Sequence, residues 1–302
     1  MGFALLAAVF FALSAVFAHR TTRLVGALTA NVARIWLAVG FLGIFALAHG
    51  GALRGAALPI FIFSGVVGYG LGDVPLFAAY PRLGSRLTSL LMQCLSSPFA
   101  AALEWLWLGT RPGAAALACG AMILAGVGLA VAPGKTVAGE ATNPGHRTVG
   151  LVFGVLAALG QAGGAVISRK AFAVAKAAGD HIDGFTASFQ RVLGGVAIIS
   201  AVFVVTRGFR REQRVEPRAN WRAAWPWIVA TALCGATLGV SFFQRALATT
   251  PSAVVIPMIA LTPLFVVPFA YGLERERPTV RSLLGGAVAV GAAAALAWVR
   301  VR

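Results

Sequence analysis

The sequence is poor in acid. Of its 302 residues only 9 are Asp or Glu, against 25 Lys and Arg, and charged residues of both signs make up 11%; a soluble domain carries roughly a quarter. Cysteine and histidine are scarce and scattered. Cys94, Cys119 and Cys234 fall within apolar stretches, without the paired spacing of a zinc or redox site, and read as small packing residues. His19, His49, His146 and His181 fall at the ends of such stretches or between them. No GxxxxGK phosphate loop and no HExxH occurs, which disfavours ATP hydrolysis and metal-centred chemistry. The expectation is no cofactor, no metal and no catalytic centre.

What the chain has is apolar length. Hydrophobic residues make up 59% and the mean hydropathy is +0.85, more apolar surface than a soluble core of this length could hide. Ten segments are each long enough to cross a hydrocarbon layer of roughly 30 Å as a helix. They are residues 2–18, 29–48, 58–80, 85–108, 113–132, 149–172, 184–205, 225–248, 252–273 and 280–299. The first lacks the basic start of a signal peptide and leads straight into further spans, so it is read as a helix. The fold class is all-α, a polytopic membrane protein. The net charge of +16 lies between spans, where basic residues set topology and meet lipid head groups, so lipid is the expected partner and nucleic acid is not.

The longest polar break rich in Pro and Gly, PGKTVAGEATNPGHR at 133–147, leaves five spans on each side. The domain expectation is a first repeat over 1–133, a linker over 134–148 and a second repeat over 149–302. The halves resemble each other: GLGDVPLFAAYPRLGSR faces TLGVSFFQRALATTPSA, Pro98 matches Pro263, Arg111-Pro112 matches Arg277-Pro278, and Arg34 in NVARIWL matches Arg191 in SFQRVLG. An odd number of helices forces the second copy to enter from the opposite side. Inverted repeats of this kind characterise secondary transporters, which rock one repeat against the other around a midplane site.

These features, with the Arg in spans two and seven, the Pro in spans four and nine and GLERERPTVRSLLGGAVAVG at 272–291, resemble the EamA-like branch of the drug/metabolite transporter superfamily. The first half departs from the pattern at Thr110, where the second has Glu276. The resemblance implies a secondary transporter, and no enzyme, that moves a small organic metabolite outward across a bacterial-type inner membrane. It also implies cytoplasmic termini, whereas the run TRGFRREQRVEPRANWR at 206–222 puts most basic residues on the other side and argues for the reverse. A lipid or lipid-linked flippase is the alternative. A membrane-embedded enzyme acting on lipid head groups fits less well, because the polar residues run through span interiors.

Only two of the acids, Asp73 and Glu104, lie within spans, where an acid costs roughly 2.5–3.5 kcal/mol on insertion scales. Arg34 and Arg191 also lie within spans. Matching depths predict two buried pairs, Asp73 with Arg34 and Glu104 with Arg191. Gly70, Gly72 and Pro75 around Asp73 predict a helix break with Asp73 as N-cap of the next segment, a role compatible with a transport site. Ser89, Gln93, Ser97 and Glu104 share one face of span four; Tyr69, Asp73 and Tyr80 form a stripe in span three, and Thr237, Ser241 and Gln244 one in span eight. The candidates for substrate or coupling are Asp73, Glu104, Arg34, Arg191, Tyr69, Gln93, Ser97, Ser241 and Gln244, with Asp73 or Glu104 as a proton-linked group. Glycines of spans five and ten, among them Gly126, Gly128, Gly285, Gly286 and Gly291, are expected at a close-packed seam, inside the chain or in a homodimer. The seven tryptophans read as interfacial anchors.

Overall fold

The structure, a computed structural model, describes residues 2–48, 53–108, 113–131, 144–209, 220–250, 252–275 and 279–301. The described residues form helices and contain no strand. In chain order they are α1 (Gly2–Val25), α2 (Ala27–Ala48), α3 (Leu58–Val67), a π-helical segment (Gly68–Asp73), α4 (Val74–Leu108), α5 (Ala114–Val131), α6 (Pro144–Ala177), α7 (Gly184–Phe209), α8 (Trp221–Thr231), a second π-helical segment (Ala232–Gly239), α9 (Val240–Thr249), α10 (Ser252–Ile259), α11 (Thr262–Glu274) and α12 (Val280–Val301).

Seven helical runs among the described residues are long and apolar enough to cross a membrane, and two shorter apolar helices cover Ala114–Ala130 and Val280–Leu296. One run, Leu58–Trp107, has 50 residues. At 1.5 Å per residue it would measure about 75 Å, more than twice the bilayer core. It is interrupted at Gly84, whose φ of 76° and ψ of 171° leave the helical region. Large aliphatic side chains lie on the outside: Ile44, Leu106 and Val280 are more than 70% exposed, at 74%, 78% and 73%. That is costly in water and neutral against lipid tails.

The expected break at Gly-Leu-Gly does not form. The chain stays helical through residues 68–73 but widens to a π turn, with the Val74 N–H bonded to the Tyr69 carbonyl. Pro75 has no N–H to donate, and the wider turn absorbs the loss. Asp73 is therefore not an N-cap; its carboxylate is spent on Arg34 instead. The second π segment brackets the matching Leu238-Gly239 in the other half of the chain. The span expected over 252–273 corresponds to the single run Val254–Glu274, with a two-residue turn at Ala260–Leu261 after which α11 starts with Pro263 in its first turn. Thr262 there donates its hydroxyl to the Ile259 carbonyl at 2.6 Å.

Two close approaches organise the bundle. The first π segment lies on α6, where a Cβ on Gly160 would stand 2.2 Å from the Gly72 nitrogen, and beside it Ser64 donates to the Gly164 carbonyl at 2.6 Å. The helices α5 and α12 pack chiefly on each other. A Cβ on Gly126 would stand 2.5 Å from the Ala289 nitrogen, and one on Gly285 2.5 Å from the Ala130 nitrogen, so this seam lies inside the chain. Thr110, Arg111-Pro112, Glu276 and Arg277-Pro278, together with most of the linker, fall outside the described residues.

Candidate functional site

Helices α1, α2, α4, α6, α7 and α9 and both π segments contribute to a cavity of about 60 Å³ inside the bundle. Asp73 reaches it as the last residue of the π turn, and Arg34 reaches it from α2. Arg34 Nη2 donates to Asp73 Oδ2. Asn31, one turn earlier on α2, accepts from Arg34 Nε at 3.3 Å and from Nη2 at 3.2 Å. The guanidinium also lies 4.7 Å from the centre of the Phe77 ring. Arg34 thus has a carboxylate, an amide oxygen and a π face, as a buried charge requires.

Arg191 enters the same cavity from α7 and is only 4% exposed, yet among the described residues it makes no ion pair. Its guanidinium stands 5.7 Å from the centre of the Tyr69 ring, and its Nε has no hydrogen-bond partner. The Tyr69 hydroxyl and Gln93 Oε1, on the same cavity, also lack protein partners. Such buried orphans are uncommon in packed interiors, and a water or a ligand in the cavity would complete these three.

The expected pairing of Glu104 with Arg191 is not present. Glu104 is half-buried and accepts from the Ser252 hydroxyl of α10, while Arg191 faces α3 and the first π segment. Depth along a helix fixes one coordinate only, and the two side chains point in different directions around the bundle.

The other candidates divide. Tyr69, Asp73, Tyr80, Ser89 and Gln93 line the cavity with the two arginines. Ser97 is buried on the same α4 face but does not line it. Of the span-eight stripe, Thr237, Ser241 and Gln244 are buried away from the central cavity. Ser241 opens instead on a second pocket of about 380 Å³ lined by Phe3, Phe45, Asp183, Gly184, Phe185, Phe242 and Arg245. Both amide atoms of Gln244 lack protein partners. The sequence reading missed Ser14 on α1 and Gln161 on α6, which also line the central cavity. Each is a lone polar side chain in an apolar helix, a pattern that more often marks a hydroxyl or amide bonded within the bundle. The tryptophans do not line it; Trp227 carries Arg20 at 4.4 Å from its ring centre, near the end of α1.

On the side where α1 and α11 end, three helices are tied by polar contacts. His19 Nδ1 lies 2.6 Å from Glu274 Oε1, and the Ser85 hydroxyl donates to Glu274 Oε2 at 2.6 Å. Alongside, Arg86 donates to the Ser282 hydroxyl at 2.6 Å.

The sequence matches the EamA-like transporter family over residues 1–132 and 148–298. A solved structure described only as the crystal structure of a protein superposes with a TM-score of 0.66 at 17% identity, covering 99% of this chain and 97% of that one, a likeness of fold. No curated protein matches the chain.

Proposed function

Because the chain belongs to the EamA-like transporter family, itself part of the drug/metabolite transporter superfamily, we propose that it carries a small organic metabolite across a bacterial-type inner membrane by alternating access, as an exporter. The observation that carries this reading is the central cavity. A soluble core has no reason to bury Arg34, Asp73, Arg191, Tyr69 and Gln93 together while leaving some of their polar atoms without partners. In a transporter such atoms are the surface presented to cargo. The chain is an integral membrane protein of a family that moves small molecules.

The finer reading is ten spans in two inverted repeats, 1–133 and 149–302 about a linker at 134–148, with the termini in the cytoplasm. Its supports are the Gly84 interruption, the two shorter apolar helices and the π segments at matching Leu-Gly positions. A homodimer would use the lipid-facing side, since Gly126 and Gly285 serve a seam within the chain. Proton coupling would run through Asp73, held by Arg34, or Glu104, held by Ser252.

The test is flux. Purified chain in liposomes loaded with an isotope-labelled metabolite extract is expected to release particular solutes, read by mass spectrometry, faster than protein-free liposomes. Release indistinguishable from the protein-free control would overturn the transport reading. Release insensitive both to an imposed pH gradient and to Asp73→Asn and Glu104→Gln would remove proton coupling alone.

A further inference from the structure

The cavity holds more positive than negative charge. Arg34 is paired with Asp73, whereas Arg191 makes no ion pair among the described residues, so the cavity sets two guanidiniums against one carboxylate. The halves of the chain show where the asymmetry comes from: Arg34 and Arg191 match, but the position that matches Asp73 is Val240, also on the cavity wall. One half carries its own counter-ion and the other does not. A buried cation without an ion pair of its own is unfavourable unless something further compensates it.

From this we infer that the cavity takes a small water-soluble organic anion, whose carboxylate or phosphate oxygens sit on the Arg191 guanidinium. The inference rests on the transport reading for its purpose, but its chemistry stands on the charge balance of the site. Three further features fit it. The guanidinium offers a planar fork of donors matched to an oxyacid, the geometry in which such pairs are strongest. The fork is held in a slot between two glycines, since a Cβ on Gly68 would stand 2.6 Å from Arg191 Nη2 and one on Gly164 3.1 Å from it. The Tyr69 hydroxyl, unpartnered on the cavity, can donate to a second oxygen of the anion, and Gln93 Oε1, also unpartnered there, can accept from a hydroxyl of the solute. A volume of about 60 Å³ is far below the roughly 300–1,000 Å³ of drug-sized sites, which favours a small acid over a lipid.

The experiment measures thermal stability of the purified full chain in detergent. The probes are acetate, lactate, succinate, benzoate, inorganic phosphate and glycerol phosphate, the amides and amines matched to the carboxylates, and dioctanoyl phosphatidate as the lipid arm. The expected result is that one or more soluble acids raise the melting temperature while their amides and amines do not. Arg191→Gln should weaken that acid about tenfold or more, the loss of a charge-assisted pair. It should leave the ligand-free melting temperature unchanged or higher, because it removes an uncompensated charge; a merely structural arginine would lower it. Should Arg191→Gln fail to fold, Gly68→Ala keeps the charge and displaces the guanidinium, and it should weaken the same acid. Stabilisation by amides or amines only, by phosphatidate alone, by no probe, or equally in both variants would overturn the proposal. Acid binding without flux in the liposome assay would remove the transport reading and leave this one standing; flux of a neutral or cationic solute would do the reverse.

Discussion

Arg34 of α2 and Asp73 at the end of the first π turn form an ion pair across 39 residues of sequence, and both side chains are buried. The π turn sets this pair. It inserts an extra residue per turn beside the cavity and so turns Asp73 towards α2, whereas a regular helix would distribute the same residues differently. Removing either partner leaves the other charged and unsolvated. Asp73→Asn or Arg34→Gln alone should each cost about 3–5 kcal/mol of stability, and the double variant should cost clearly less than the sum of the two. Thermal unfolding of the four proteins measures the coupling; strict additivity would show that the contact carries no energy.

Asp183 begins α7. It accepts from the Phe185 N–H at 2.7 Å, the Thr186 N–H at 3.2 Å and the Thr186 hydroxyl at 2.6 Å. Partial burial pushes its carboxyl up, but these hydrogen bonds outweigh that and hold it below the ordinary carboxylate value. The folded state therefore prefers the ionised form. Its contribution is present above the ordinary carboxylate range and is lost as pH falls through the lowered value. Asp183→Ala should cost about 0.5–2 kcal/mol at neutral pH, and the difference from the parent should shrink in acid. Melting temperatures of the two proteins at neutral and acid pH test it.

The seam between α5 and α12 is sensitive at particular positions. Gly126→Ala puts a Cβ against the Ala289 backbone, which cannot move aside as a flexible side chain can, and should destabilise by about 1–3 kcal/mol. Gly128→Ala meets nothing within 4 Å and should be neutral, or stabilising by up to about 1 kcal/mol through helix propensity. Melting temperatures of the two variants decide between a packed seam and a loose one.

Much of this was legible in the residues. Apolar length gave helices near their observed places, and the shared depth of Arg34 and Asp73 brought that pair together on paper. Depth failed for Glu104 and Arg191 because it carries no information on azimuth; α4 turns Glu104 towards Ser252, and α7 turns Arg191 towards Tyr69. Glycines around Asp73 signalled an irregular helix but not its kind, since a break and a π turn both use small residues and differ only in whether the chain stays hydrogen-bonded. Ser14 and Gln161 were invisible for another reason. A single hydroxyl or amide in an apolar helix carries no periodicity, and only its neighbours in space show that it faces the cavity.

Glu274, the last residue of α11, ties α11 to α1 near its end and to α4 beside the Gly84 interruption, taking His19 on one oxygen and Ser85 on the other. A transporter that alternates must separate helices at each side in turn, and contacts between helix ends are where that separation has a cost. Glu274→Ala deletes both contacts at once, so this side should open more often. Ser89 lines the cavity and reports on it: a single cysteine there, in a background with Cys94, Cys119 and Cys234 replaced by alanine, should react with a membrane-impermeant thiol reagent added from the Glu274 side. Its rate should rise several-fold in Glu274→Ala and fall from the opposite side. Glu274→Gln keeps an acceptor for Ser85 and should lie between the two. Equal rates in all three proteins from both sides would mean that this cluster merely packs the helix ends together and has no part in closing the cavity.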